Sequence, residues 1–320
     1  VVLNSPVTEF IGPSAAEAAG ARSALSFLAP MLPSSEFASP AFPVSSFGLP
    51  FLNTLSHDLA SWGWWSIHKQ GVNQARQRWG LPPLGASPTT GYLKKGGLAL
   101  MGFSPSLFPR PADWNPGSVV TGAWELPSGS RGSESQDAED PGFLAWLEDG
   151  APPVFFGFGS MPVPDHEGFM EMAASLCEEL GLRALIGPGW NDLDMAACDL
   201  PDNLAVVEKA DHAWLFPQCA AVVHHGGAGT TQAALRAGVA SVVCPFFADQ
   251  PFWAKRVAAL GAGTRLPFRK MDYPGLRGAL LDALSEKTQA RAAALGLAMR
   301  QEQGCDRAVD ALEAWMGRSA

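Results

Sequence analysis

The second half of the chain alternates between short apolar runs and segments with a helical pattern of apolar positions. The apolar runs predict strands at 153–159, 183–188, 204–208, 220–225 and 241–246. Helix-length segments lie between most of these strands, notably 166–181, 230–238 and 250–261. Continuous apolar strands that alternate with helices predict a parallel sheet covered on both faces, which is an α/β fold.

The first part of the chain has a different pattern. Residues 1 to about 125 are rich in Pro, Phe, Trp and Ser, and segment 56–84 predicts a helix that stops at Gly80 and Pro82. Segment 103–127 has too many prolines for a helix, so we expect extended segments and turns. Polar, Gly/Ser-rich residues at 128–142 predict a linker. From Tyr273 the chain is helical in pattern and ends in an amphipathic segment, 305–316.

Composition and charge exclude several functions. The chain has 320 residues, 47% of them hydrophobic and 17% charged, which is typical of a globular protein of two domains. The net charge is -9 and no cluster of Lys or Arg occurs. Nucleic-acid binding by phosphate neutralisation and adhesion of a basic patch to anionic lipid are therefore not expected.

The cysteines and the apolar runs bear on location. Five cysteines occur without a CxxC spacing, which predicts reduced and mostly buried thiols in a cytoplasmic protein. No apolar run reaches the roughly 18 residues that a membrane-spanning helix requires. The first residues have no positively charged segment of the kind that begins a signal peptide.

The stretch "AAVVHHGGAGTTQAALRAG" (220–238) carries the first candidate site. It predicts a strand, a glycine-rich turn and a helix, and ligands of open parallel sheets bind beyond the carboxyl ends of the strands. The start of a helix offers unpaired N–H groups and a partial positive charge to an anion, especially a phosphate. Glycines 226, 227 and 229 allow a close approach, His225 can donate a hydrogen bond, and the hydroxyls of Thr230 and Thr231 either bind the anion or cap the helix.

Other interpretations of this turn remain open. Glycine-rich turns of this kind also occur without a ligand, and the stretch matches neither GxGxxG nor GK[ST]. A metal at His224 and His225 is not expected, because neighbouring strand residues point to opposite faces. We expect His224 to be a packed or hydrogen-bonded core histidine.

A second candidate pair follows the next strand. Asp249 and Gln250 lie in the loop after 241–246, on the same rim as the glycine turn. A carboxylate and an amide side by side suit the vicinal hydroxyls of a sugar. The alternative is that Asp249 caps the helix that starts near Pro251.

Together these motifs resemble a known family. "VVHHGGAGTT" followed by "PFFADQPFWAKRV" resembles the donor-binding signature of nucleotide-sugar glycosyltransferases, in particular the sterol glucosyltransferases and the enzymes that glycosylate natural products. The stretches "GFGSM" (157–161), 211–227 and 104–124 agree with this resemblance. It implies a GT-B type α/β fold, with two facing Rossmann-like domains that each contain a parallel sheet.

The resemblance also implies a domain organisation. Residues 1–127 would form an incomplete N-terminal acceptor-binding domain, 128–142 a linker, and 143–304 the donor-binding domain. Residues 305–320 would form a C-terminal helix that packs back toward the N-terminal domain. The beginning of the family's first domain has no counterpart here, so we expect a separate chain to supply it, or a shortened form, or a different fold.

Site roles are carried over from the family position by position. The residues implied at the donor diphosphate are Ser160, His225, Gly227, Ala228, Gly229 and Thr230. Asp249 and Gln250 match the pair that holds the hexose, while His212 and Trp214 match positions near the nucleobase. Packing or capping remains an alternative for Ser160, His212 and Trp214. Plant-type relatives carry a ribose-binding glutamate where this chain has Gln232-Ala233, so ribose recognition is unassigned.

The implied activity is an inverting, metal-independent hexosyl transfer, with UDP-glucose as donor substrate and no cofactor. The acceptor would be a sterol or another lipophilic alcohol. The family's catalytic base belongs to the segment without a counterpart, so the catalytic residue is unassigned. His57 and Asp58 are poor substitutes, for which we expect a solvated loop or a helix cap. The alternative function is a non-catalytic nucleotide-sugar-binding relative that has lost the base.

Aromatic residues of the first part of the chain fit a lipophilic acceptor. They are Phe42, Phe47, Phe51, Trp62, Trp64 and Trp65. Core packing explains the same residues equally well, and peripheral contact with a membrane is a further possibility.

Overall fold

Two α/β units make up the described part of the protein. The computed structural model describes residues 1–125, 140–187, 189, 201–208 and 211–317. One unit comprises Val1–Glu125 and Glu302–Ala320, and the other comprises Leu126–Gln301. Most of the predicted linker, 128–139, lies outside the described residues, as does Pro188 at the end of the second predicted strand.

The first unit contains a small parallel sheet. In chain order its elements begin with β1 (Val2–Asn4), α1 (Ile11–Ala18), β2 (Ser23–Phe27), α2 (Pro50–Arg78), α3 (Pro88–Lys94), β3 (Ala99–Met101) and β4 (Ser118–Val120). Among the described residues the strands pair in parallel, in the order β1-β2-β3-β4. The chain from 102 to 117 forms turns and irregular segments, as its prolines predict.

Helix α2 begins six residues before the predicted start. Pro50 occupies its first turn, where a missing N–H costs nothing, and no side chain caps the start. The predicted stop is confirmed: the helix ends at Arg78, and Gly80 follows in the left-handed conformation with φ +72°. An ion pair between the buried Arg76 and the exposed Glu17 links α2 to α1, since Arg76 Nη1 lies 2.7 Å from a carboxylate oxygen of Glu17.

The second unit contains the larger parallel sheet. Its elements are α4 (Pro141–Glu148), β5 (Pro153–Gly157), α5 (His166–Glu179), β6 (Arg183–Gly187), β7 (Leu204–Val206), α6 (His212–Leu215), β8 (Ala221–His224), α7 (Ala228–Ala237), β9 (Ser241–Val243), α8 (Gln250–Leu260), β10 (Gly263–Arg265), α9 (Tyr273–Leu284) and α10 (Glu286–Arg300). The described strands lie in the order β10-β9-β8-β5-β6-β7, all in parallel.

The predicted parallel sheet is confirmed, with two differences. Each observed strand ends before the apolar run that predicted it. Residues at the ends of these runs, such as Phe158 and Cys244, are buried but lie beyond the last paired position. Strand β10 was not predicted, since the sequence Gly-Thr-Arg has no apolar run and pairs only because β9 lies beside it.

The last helix, α11 (Gly304–Met316), belongs to the first unit. Trp315 packs with Ala24, Leu98 and Leu100 of that unit's core. The guanidinium carbon of Arg22 lies 3.6 Å from the centre of the Trp315 ring, a cation–π contact.

The described cysteines are free thiols, three of them buried and Cys305 half-buried. Among the described residues, no helix combines the length and the hydrophobicity that crossing a bilayer requires.

Helices α7 and α10 approach so closely that their contact requires glycine. A methyl group on Gly296 would lie 2.6 Å from the Cα of Gly238 and 2.8 Å from the carbonyl oxygen of Leu235. Both of these atoms belong to the backbone, so no flexible side chain can move to relieve the overlap. Gly238 ends α7 in the left-handed conformation, with φ +84°.

We expect Gly296→Ala to destabilise the protein by about 1–3 kcal/mol, because the two helices must separate to admit the methyl group. The matched control is Gly278→Ala in α9, where a methyl group meets no atom within 4 Å. That change is expected to stabilise by about 0.5–1 kcal/mol through the better helix propensity of alanine. Urea unfolding of both variants measures the difference. Equal effects of the two substitutions would contradict the close contact.

Candidate functional site

The strand order of the larger sheet creates a switch point between β5 and β8. From β5 the chain proceeds to β6 and β7 on one side, and then returns to β8 and β9 on the other. Open parallel sheets bind ligands at such a point, outside the carboxyl ends of the strands. The loops that follow β5, β8 and β9 emerge side by side at this edge.

The glycine turn after β8 leaves the start of α7 open. Gly226 has φ +90°, and Gly227 precedes the helix without a side-chain cap. The first helical hydrogen bond runs from Thr231 N to Gly227 O at 2.9 Å, so the amides of residues 228–230 precede that bond. Gly229 is exposed, and a methyl group there would meet no atom within 4 Å. These amides can therefore bind an anion.

The two threonine hydroxyls of this turn differ. Thr231 is buried and its Oγ1 donates to Gly227 O at 2.9 Å, a bond within the helix. Thr230 is half-buried at the helix start. Neither caps the helix, so Thr230 alone of the two is placed to meet a ligand.

The His225 ring lies between two glycines from different loops. A methyl group on Gly227 would lie 2.5 Å from His225 Nε2, and one on Gly159 would lie 3.3 Å from its Cε1. Burial lowers the pKa of His225, while a backbone hydrogen bond with Gly157 acts in the opposite direction. The two glycines thus provide the space for an imidazole next to the open end of α7.

His224 is a core histidine, as predicted. It is fully buried, and its Nδ1 accepts a hydrogen bond from Gly226 N at 3.1 Å, which holds the turn. Burial, with smaller contributions from the neighbouring His225 and His212, lowers the pKa of His224 to about 3. The side chain is therefore neutral at physiological pH.

His212 begins α6 and interacts electrostatically with the other two histidines. Its ring stacks on Phe216 with centroids 4.3 Å apart, and burial lowers its pKa while Asp211 raises it. Trp214 is half-buried and packs against the apolar core beside α6. Both side chains therefore have packing contacts. Their placement near a nucleobase stays a prediction.

The loop between β9 and α8 is held by its own side chains. Gln250 is buried, and its Oε1 accepts from Phe246 N at 2.8 Å and from Phe247 N at 3.2 Å. Its Nε2 lies 3.6 Å from Met161 Sδ, in the loop after β5. A methyl group on Gly226 would lie 3.2 Å from Gln250 O, so the three loops meet.

Asp249 precedes α8 but does not cap it. No side-chain bond to the helix start is present; instead Asp249 Oδ2 accepts from Trp253 Nε1 at 3.2 Å. Burial raises the pKa of Asp249, and the bond from Trp253 lowers it. The capping alternative is therefore wrong. The half-buried carboxylate also has a hydrogen bond with its own backbone, which lowers its pKa as well.

Among the described residues, no group of three or more His, Cys, Asp or Glu side chains is arranged to hold a metal ion.

Comparison with known proteins points to one kind of enzyme. The family model "Erythromycin biosynthesis protein CIII-like, C-terminal domain" matches residues 192–307. Sterol 3-beta-glucosyltransferase UGT80B1 of Arabidopsis thaliana is 34% identical over 306 residues, which are 92% of this chain and 47% of that protein. O-mycaminosyltylonolide 6-deoxyallosyltransferase of Streptomyces fradiae is 37% identical over 274 residues, which are 83% of this chain and 61% of that protein.

A solved structure, the glycotransferase of kitacinnamycin, matches 98% of this chain and 74% of its own with a TM-score of 0.69 at 19% identity. This chain is a homologue of the GT-B glycosyltransferases. It spans about half the length of the sterol glucosyltransferase that it matches.

Ser160, which the glycosyltransferase resemblance implies near the phosphates, is exposed in the turn after β5. Gly159 before it has φ +58°. Trp253 and Met161 were not predicted as parts of the site. The sequence could have indicated Trp253, because it follows Asp249 by one helical turn and side chains at that spacing are neighbours.

The His57–Asp58 pair is not the solvated loop or helix cap that we expected. His57 is buried in the middle of α2, where its Nε2 lies 3.1 Å from Phe37 O. Asp58 is exposed. The expectation is wrong because α2 begins at Pro50, which turns the two side chains to different faces of one helix.

The predicted acceptor-region aromatics of the first unit separate into two groups. Trp65 is buried and packs edge-on against Phe10 at 5.3 Å between centroids, so core packing explains it. Phe47, Phe51, Trp62 and Trp64 are exposed, and Phe42 is half-buried. Core packing does not explain the exposed group.

We expect stability to fall as the pH falls below about 6.5. The pKa of His224 is about 3 in the folded protein, against 6.5 ordinarily, so in this window the unfolded chain takes up a proton that the folded one refuses. The slope from one such group reaches about 1.4 kcal/mol per pH unit. His212 and His225 shift in the same direction and add to it.

His224→Asn tests this assignment, because an amide oxygen can accept from Gly226 N without titrating. Urea unfolding at pH 7, 6 and 5 should give a shallower loss of stability in the variant than in the wild type. An identical pH dependence would show that His224 is not the titrating group.

Proposed function

We propose that this chain binds a nucleotide sugar at the turn after β8. As part of a glycosyltransferase, it transfers the hexose, glucose from UDP-glucose, to a hydroxyl of a sterol or another lipophilic acceptor. The observation that carries the proposal is the position of His225. Its ring lies between Gly159 and Gly227, beside the open amides of α7 and within the same rim as the Asp249 carboxylate.

The diphosphate is proposed to bind the amides of residues 228–230. His225 donates from its imidazole, and the hydroxyls of Thr230 and Ser160 add donors. The start of a helix attracts negative charge, and neutral donors that are already fixed in place lose little conformational freedom on binding. A diphosphate beside His225 would favour the protonated imidazole and raise its pKa, which burial alone keeps low.

The hexose is proposed to bind the Asp249 carboxylate. The carboxylate is oriented by Trp253 Nε1 and would accept from a sugar hydroxyl. Gln250 contributes less than its place in the motif suggests, because its Oε1 already accepts from two backbone amides. Only its Nε2, near Met161, can turn to a sugar. His212 and Trp214 are proposed to lie near the nucleobase.

The reaction is a single displacement at the sugar C1. The acceptor oxygen forms a bond to C1 from the side opposite the diphosphate, the bond from C1 to the diphosphate oxygen breaks, and the configuration inverts. A general base takes the acceptor proton. The α7 amides and His225 stabilise the negative charge that develops on the leaving diphosphate. The base is not among the residues that we assign.

The comparisons do not select one donor sugar or one acceptor, since the two relatives above are named for different sugars and different acceptors. A lipophilic acceptor is supported by the exposed aromatics of the first unit. The second candidate function is nucleotide-sugar binding without transfer, which would use the same open turn at the start of α7 and needs no catalytic base.

One assay separates the two candidates. The chain is incubated with UDP-glucose and a mixture of sterols, and glucosides are sought by mass spectrometry, with UDP binding measured in parallel. A glucoside supports the transferase. Binding without product supports the second candidate, and absence of binding to UDP, TDP and their sugars refutes both.

We expect His225→Ala to weaken UDP binding by roughly 10-fold or more, because a charge-assisted hydrogen bond to the diphosphate is lost. Asp249→Asn is expected to leave UDP affinity unchanged and to reduce the preference for UDP-glucose over UDP. Isothermal titration calorimetry measures both, with His68→Ala in α2 as a control histidine. Unchanged UDP affinity in His225→Ala would refute the assignment of the turn.

A further inference from the structure

A large aromatic side chain stands in solvent beside the proposed hexose site. Phe247 is 61% exposed and lies two residues before Asp249, in the loop between β9 and α8. Single exposed apolar residues are common on protein surfaces and need no explanation by themselves. The loop that carries Phe247, however, is held in place from several sides.

The backbone at Phe247 is fixed by neighbouring side chains. The amide of Phe247 donates to Gln250 Oε1 at 3.2 Å, and Gln250 is itself 5% exposed. On the other side of Phe247, Asp249 is bonded to Trp253, which is fully buried in the core. The exposed ring is thus attached to a rigid support rather than to a mobile loop tip.

The next residue is held in an unfavourable conformation. Ala248 has φ +57° and is the single non-glycine residue with positive φ among those that the structure describes. Such a conformation persists only where the surroundings impose it, and such residues collect at ligand sites. Here it turns the chain between the exposed ring of Phe247 and the carboxylate of Asp249.

The adjacent phenylalanine shows that the exposure of Phe247 is not forced by its loop. Phe246 is half-buried and packs on Phe268 with ring centroids 4.0 Å apart, and on Phe158 at 6.2 Å. Phe246 therefore anchors the loop while Phe247 does not. One ring of the pair is available to a ligand.

We infer that Phe247 determines donor specificity by packing its ring against the apolar face of the hexose whose hydroxyls Asp249 binds. A pyranose carries C–H groups on its faces and hydroxyls around its edge. Hydrogen bonds to the edge replace bonds to water and add little net affinity, whereas covering a C–H face removes apolar surface from water. This inference rests on the proposed function, because it needs a nucleotide sugar in the site.

The test compares the affinities for UDP and UDP-glucose in the full chain by calorimetry. Phe247→Ala should leave UDP affinity unchanged and lower the ratio of UDP-glucose to UDP affinity by roughly 3- to 10-fold, the value of one aromatic contact. Phe247→Tyr keeps the ring and should keep the ratio. Leu297→Ala on α10 is the matched control, since Leu297 is 62% exposed and lies outside the site.

Two outcomes overturn the inference. An unchanged ratio in Phe247→Ala would show that the ring does not touch the hexose, and an equal loss of UDP and UDP-glucose affinity would show that it only supports the loop. Failure of the wild type to bind either compound would refute the proposed function, and this inference with it. Binding by the wild type with an unchanged ratio refutes the inference alone.

Discussion

The pairing of β8 with β5 is the contact on which the site depends. The two strands lie in register from Val154 opposite Ala221 to Gly157 opposite His224, so their loops leave the sheet at the same level. Gly159 and Gly227 then face the His225 ring from the two loops. If either strand moved by one residue, every side chain would turn to the other face and the imidazole would lose its place.

The site is rigid because its polar groups are used to hold backbone. Gln250 binds two amides of its own loop, His224 binds the amide of Gly226, and Trp253 orients Asp249. The His224 bond is buried and the others are partly buried. Breaking a buried bond leaves an unpaired polar group, which costs more than the bond itself contributes. The rim also carries the helix-start amides of α7, the His225 imidazole and the Asp249 carboxylate. Donors held in fixed positions are what a leaving diphosphate requires.

Burial also determines the charge of the site. The three histidines at or near the turn have pKa values lowered mainly by loss of water. His225 also lowers the pKa values of His224 and His212, and His212 lowers that of His224. A neutral imidazole presents one donor and one acceptor, and the bond from Gly226 N assigns these roles for His224. Burial therefore favours the neutral form of all three histidines before an anion arrives, and the helix start is the positive end of the turn.

The sequence by itself determined the sheet and the motifs, while only the tertiary structure decided what each side chain does. Buried parallel strands and their helices leave a local record, namely short apolar runs separated by helix-length segments, and this record was enough to predict β5 to β9. The motifs that follow these runs carried the glycosyltransferase resemblance. It did not contain β10, the start of α2, or the burial of His57, because these depend on which neighbour covers a segment. Likewise the local sequence left Asp249 as either a helix cap or a sugar ligand. In the structure its carboxylate accepts from the Trp253 indole and does not cap the helix. Roles of this kind follow from distances between loops that are far apart in the chain, and folding alone sets those distances.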